Sequence, residues 1–146
     1  METSNYLKRL KDLTSHTEPK FGQMTAQHMV EHLALTLKLS YGKVKIPEFE
    51  VQEKHLQQKF LLLQTEMEFP RGVRIPGTSG ELTDLRYPDF ETATGELIKS
   101  FEVYSEYFKN NPHSKTWHPR FGPLDFEEWE IFHAKHIQHH FSQFGI

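Results

Sequence analysis

Residues 124–145, LDFEEWEIFHAKHIQHHFSQFG, decide the fold. Asp125 and Glu128 stand at capping-box spacing, in which each side chain satisfies a backbone N–H at a helix start. Gly145 supplies a stop. The residues between them carry apolar side chains at helical spacing and no proline, which predicts a helix from just after Asp125 to about Phe144. At about 100° per residue, Trp129, Phe132, His136, His140 and Gln143 share one side, the side a bundle turns inward. His133 and His139 fall at its margins. Histidine is a middling helix former and costs free energy to bury. Four of them in the last turns of one helix therefore call for a chemical reason.

The rest of the chain breaks at glycine and proline clusters into further helical segments. NYLKRLKDL, residues 5–13, carries Tyr6, Leu7, Leu10 and Leu13 at helical spacing and predicts a short first helix. In residues 24–42, MTAQHMVEHLALTLKLSYG, Thr25 caps, Met24 and Met29 occupy the two staple positions, and Gly42 stops. Met29, Leu33, Leu35 and Leu39 give that helix its apolar side. A third helix follows Pro47 in EFEVQEKHLQQKFLLLQTE. A fourth lies in residues 89–112, with Leu97, Phe101, Tyr104 and Phe108 on one side. Between these two, Pro70, Gly72, Pro76, Gly77, Gly80 and Pro88 forbid a long helix over residues 69–88. A connection of that length is a lid, a crossover or a surface excursion. RGVRIPG within it is the one short piece expected to be extended, and WHPRFGP reads as a rigid aromatic turn. The expected fold is all-α: one domain over residues 1–146, an antiparallel four-helix bundle with an up-down-down-up crossover, and a short extra N-terminal helix.

Composition narrows the function. With 17 Lys+Arg against 20 Asp+Glu the net charge is -3, and no basic run interleaves with aromatics, so neither nucleic acid nor an anionic membrane is an expected partner. No apolar run approaches the length of a membrane span, and METSNYLKRLKDL lacks the apolar core of a signal peptide. A soluble, cytoplasmic protein is expected. The absence of cysteine removes disulfides, thiolate ligands and a cysteine nucleophile. Ten histidines remain, and the chemistry is sought there.

His136 and His140 are spaced i, i+4, about 6 Å apart along the helix, so two ring nitrogens can reach one metal ion. The second helix offers His28 and His32 at the same spacing. His32 shares its side with Met29, Leu35, Thr36 and Leu39 and should face the core; His28 lies nearer the helix start. A trio of His32, His136 and His140 would present three neutral nitrogens with open coordination positions. That donor set suits Zn²⁺, with Ni²⁺, Fe²⁺ and Mn²⁺ as further candidates. Core histidines satisfied by hydrogen bonds produce the same spacing, so the pattern by itself leaves both readings open.

MTAQHMVEHL resembles the second-helix signature of the DinB-like (YfiT-like) metal-binding bundle superfamily, and HAKHIQHHFSQFG its last-helix signature. The run from His118 to Gly145 is similar to one branch of that superfamily. The resemblance implies metal ligands at His32, His136 and His140. It also implies a divalent metal, zinc or nickel above others, and a small-molecule substrate. Relatives in the superfamily include transferases and isomerases in which the metal activates a low-molecular-weight thiol, which a cysteine-free chain would have to borrow. Hydrolysis through an activated water fits the residues equally, as does a bundle that binds a metal or small molecule without turnover. A homodimer is compatible with a small aromatic-rich bundle.

No general acid or base stands out. Glu31 precedes His32 but lies about 100° away from it. His28 and His139 flank the ligands and could donate to them or act as bases; their plainer reading is as polar residues on the rim. His118 could lean over the mouth of the site as proton donor or ligand, or sit in its turn bonded to backbone. Arg71, Arg74 and Arg86 on the long connection could hold a carboxylate or phosphate, although loop arginines are usually solvated. Glu91 and Glu96 read as helix-surface charges.

Overall fold

The computed structural model describes residues 1–72 and 81–146. Their order is α1 (Thr3–Leu10), α2 (Ala26–Ser40), α3 (Glu53–Gln64), α4 (Phe90–Asn110), β1 (Thr116–His118), β2 (Gly122–Leu124) and α5 (Phe126–Phe144). The chain is mainly helical, as expected. Among the described residues no helix is long and apolar enough to cross a membrane.

The helix ends follow from local chemistry. Thr25 accepts from the His28 backbone N–H and starts α2, and Gly42 takes the left-handed conformation just past its end. Asp89 accepts from Thr92 and starts α4. At α5 both halves of the Asp125–Glu128 capping box form, and Gly145, at φ 72°, closes the helix.

α2 packs most extensively against α4 and also touches α5 and β1, while α3 docks on α5. Leu97, Phe101, Tyr104 and Phe108 of α4 are all buried. On α2, Met29 and Leu33 are buried, but Leu35 and Leu39 are only half-buried; Val30, Ala34 and Leu37 are buried in their place. The reason is that α2 has two neighbours, so its buried face is broader than one stripe. α1 closes one end of the core: Tyr6 stacks on Phe101 at 6.2 Å and meets Phe141 edge-on at 5.8 Å.

WHPRFGP is more than a turn. It belongs to a two-stranded antiparallel hairpin that pairs Thr116 with Leu124, Trp117 with Pro123 and His118 with Gly122. Gly122 sits at φ +79°, and a Cβ there would lie 2.7 Å from a Val51 methyl, so glycine is required. Thr116 ties the hairpin to two helices: its hydroxyl donates to the Ser40 carbonyl of α2 at 2.7 Å and accepts from Trp129 Nε1 of α5 at 2.8 Å. The extended piece expected in RGVRIPG lies mostly outside the described residues, as does Arg74.

An ammonium group holds the C-terminal end of α3. Lys135 of α5 donates to the carbonyls of Leu62, Thr65 and Met67 at 2.5, 2.9 and 2.7 Å. A cation satisfies carbonyls freed at a helix C-terminus and interacts favourably with its dipole. Lys135→Met keeps most of the stem and removes these bonds. It should cost about 1–2 kcal/mol in urea unfolding and speed proteolysis near Thr65. Unchanged stability and unchanged cleavage would contradict this anchoring role.

Candidate metal centre

α2 and α5 bring together three imidazoles from positions 104 and 108 residues apart in the chain. His32 Nε2 lies 2.9 Å from His136 Nε2, and His136 Nε2 lies 3.1 Å from His140 Nε2. The ligand atoms of the trio are all within 4.8 Å of one another. The rings meet edge-to-face, with centroids 4.7 to 4.9 Å apart. His136 and His140 are buried and His32 is half-buried.

Gln143 sets the tautomer of one member. Its amide Nε2 donates to the Phe21 carbonyl at 2.9 Å, which turns Oε1 toward His140 Nδ1, also at 2.9 Å. His140 therefore carries its proton on Nδ1 and presents a bare Nε2 lone pair to the cluster. Burial is the leading cause that lowers every ring of the trio. His32 is held at about 4, with His139 and Arg86 adding to the effect. His140 is held at about 3, helped by His32 and opposed by its Gln143 bond. His136 is held well below 6.5, with His140 and His32 contributing after burial. All three are neutral at pH 7, the state that binds metal.

The donor set fits a divalent ion. Zinc–nitrogen bonds of about 2.0–2.1 Å in a tetrahedron place ligand nitrogens about 3.3 Å apart. The two short separations fall within a few tenths of an ångström of that. Without a cation the arrangement is poorly satisfied. With His140 Nε2 bare, the shared proton on His136 can serve only one of its two neighbours. The second-helix and last-helix histidines expected to converge do so.

The other sequence candidates separate from this point. His28 Nε2 donates to the Thr83 carbonyl at 2.9 Å and its Nδ1 meets the Thr25 hydroxyl at 2.6 Å, which pins the return of the long connection to α2. His118 takes the turn role: its Nδ1 accepts from the Arg120 backbone N–H at 3.0 Å, and its ring stacks on Phe121 at 4.4 Å. His139, half-buried, has its ring 4.9 Å from His140 and 5.2 Å from Phe69. Burial lowers it, with Arg71 adding to the effect and a backbone bond at Phe69 opposing it.

Two expectations are corrected, and a third is extended. His133 is not marginal but 1% exposed, stacked on Trp129 at 5.2 Å, because α5 is buried over a wide arc. Glu96 is not a plain surface charge: it pairs with Lys38 Nζ at 2.9 Å and accepts from the Tyr87 hydroxyl. Glu31 does point away from His32, as expected, but it is buried and accepts from Gln27 Nε2 and from the backbone N–H groups of Arg86 and Tyr87. Phe69, which packs on His136 at 4.9 Å, had no sequence signal. Gln143 had one in its i+3 spacing from His140, although sequence assigned it only to the inward side.

Comparison with protein-family models, with curated proteins and with solved structures finds no match to this chain.

Burial holds His118 and His133 at about 3, against an ordinary 6.5; His133 and Arg120 add to the first, the N-terminal ammonium to the second. The unfolded chain binds more protons than the folded one between these values, so stability is full above about pH 6.5 and is lost as pH falls toward 3. At pH 5 the loss is on the order of 2 kcal/mol for each ring. Urea midpoints at pH 7.5 and 5 should show it. His133→Phe, which keeps a ring against Trp129, should lose less over the same interval. An identical pH dependence in that variant would contradict neutral burial of His133.

Proposed function

We propose that the chain is a metal-dependent enzyme acting on a small organic substrate, with His32, His136 and His140 holding one divalent ion. The observation that carries this reading is the convergence of three neutral Nε2 atoms from two helices on a single point. The resemblance of MTAQHMVEHL and HAKHIQHHFSQFG to the DinB-like superfamily supports the same trio. With it come the four-helix arrangement of up-down-down-up type and a preference for zinc or nickel. An ion held there supplies a Lewis acid for a water or a low-molecular-weight thiol as nucleophile, hence hydrolysis or group transfer.

The chain's own residues divide the remaining tasks. Gln143 keeps the proton of His140 on Nδ1, away from the cluster. Phe69 and Phe132 cover the His136 ring at 4.9 and 5.1 Å and keep water from it. His139, half-buried and beside His140, is the side chain placed to carry a proton. A thiol nucleophile would come from outside, since the chain has no cysteine.

A second reading, metal or small-molecule binding without turnover, is favoured by one observation. Glu31, the carboxylate next to His32 in sequence, is engaged by three N–H groups and is not free to act as a base.

The test uses protein purified without a histidine tag. Zinc or nickel should bind stoichiometrically and raise Tm. His136→Ala should abolish both effects, and Gln143→Leu should weaken metal affinity by about 10- to 100-fold. No metal uptake and an unchanged Tm after loading would overturn the reading. Stoichiometric metal with no turnover across thiol-transfer and hydrolysis substrates would favour the second.

A further inference from the structure

We propose that the trihistidine centre takes a small organic anion whose carboxylate or phosphate is gripped by Arg71 and Arg86. This rests on the metal reading above and names the substrate class for it.

The two arginines stand on opposite limbs of the long connection. Arg71, on the outgoing limb, lies with its guanidinium carbon 3.8 Å from the centroid of Phe21. Phe21 meets His139 at 5.6 Å, and His139 meets the ligand His140 at 4.9 Å. Arg86, on the return limb, is fixed through its backbone: its N–H donates to Glu31 at 2.9 Å, the residue beside His32 in α2. The charge of Arg86 acts on His32 and that of Arg71 on His139. Both arginines are thus tied to residues that neighbour the ligands, Arg71 through Phe21 and His139 and Arg86 through Glu31, although 15 positions separate them in sequence.

Among the described residues no ion pair of Arg71 or Arg86 is seen. The ion pairs there involve Lys38, Lys59 and the N-terminal ammonium, and both arginines are exposed. Glu31, the carboxylate beside His32, is already occupied by three N–H groups.

Charge balance then selects the ligand. Three neutral imidazoles leave both positive charges of a divalent ion uncompensated, and two guanidinium groups add to them. The chain as a whole is at -3, so this cluster opposes the sign of the molecule that carries it. An anionic ligand is the electrostatic complement. A guanidinium fork matches carboxylate and phosphate bidentately, and the Phe21 ring lies 3.8 Å from one of the two. Phe69 against His136 and His139 offers an apolar wall for the body of the molecule.

The test is calorimetric titration of the zinc-loaded, tag-free full chain with succinate, with inorganic phosphate and with neutral succinamide. Zinc content is measured on the same samples of wild type, R71Q, R86Q and the double variant. Gln at position 86 keeps the backbone bond to Glu31. At least one anion should bind the wild type, succinamide should not, and the double variant should bind that anion about tenfold or more weakly at unchanged zinc content. Preference for succinate identifies a carboxylate ligand, and preference for phosphate a phosphate ester. Stoichiometric zinc with no anion binding, with succinamide bound as well as succinate, or with equal affinity in the double variant would overturn the anion inference and leave the metal reading standing. Substoichiometric zinc in the wild type would overturn the metal reading itself.

Discussion

Three imidazoles kept neutral at nearly touching distance are the constraint around which the rest of the structure is arranged. Desolvation makes a charged histidine costly there, and each ring penalises a charge on the next, so protonation is resisted collectively. The fold has to hold rings from α2 and α5 at 2.9 and 3.1 Å while leaving lone pairs aimed at one another. Proton sharing satisfies that geometry only in part. A cation accepts all three Nε2 lone pairs at once, although His136 Nδ1 keeps no partner among the described residues.

Several bonds outside the trio contribute to that geometry. Thr116 bonds to α2 through Ser40 and to α5 through Trp129, a polar bridge between the two ligand-bearing helices. Gln143 links His140 to the Phe21 carbonyl, so the segment before α2 helps decide which nitrogen faces the cluster. Lys135 on α5 and Glu31 on α2 hold the two limbs of the long connection on either side. These anchors lie one or a few positions from the ligands, so fixing the loop and orienting the rings are one task.

The legible part of the sequence was the part governed by local rules. The Asp125–Glu128 box, Gly145, Thr25 and Gly42 each act within a turn of the backbone, and each helix end came out as its residues dictate. The i, i+4 spacing of His136 and His140 is equally local, and the inward side of α2 selected His32. Features that depend on contacts across the chain were hidden. The hairpin has three residues per strand and includes Gly122 and Pro123, too short and too irregular for an alternating pattern to show. His133 was misplaced because α5 is buried on more than one side, a property of its neighbours and not of its own periodicity. Glu96 read as a surface charge, and nothing local to Glu31 announced its burial, until Lys38 and the Arg86–Tyr87 backbone were brought to them by the fold.

X-ray absorption at the zinc edge of the loaded, tag-free protein tests the central claim most directly. Three imidazole nitrogens at about 2.0–2.1 Å, falling to two in His32→Ala, are the predicted first coordination sphere. A sphere of oxygen atoms alone, or one unchanged by loss of His32, would contradict it.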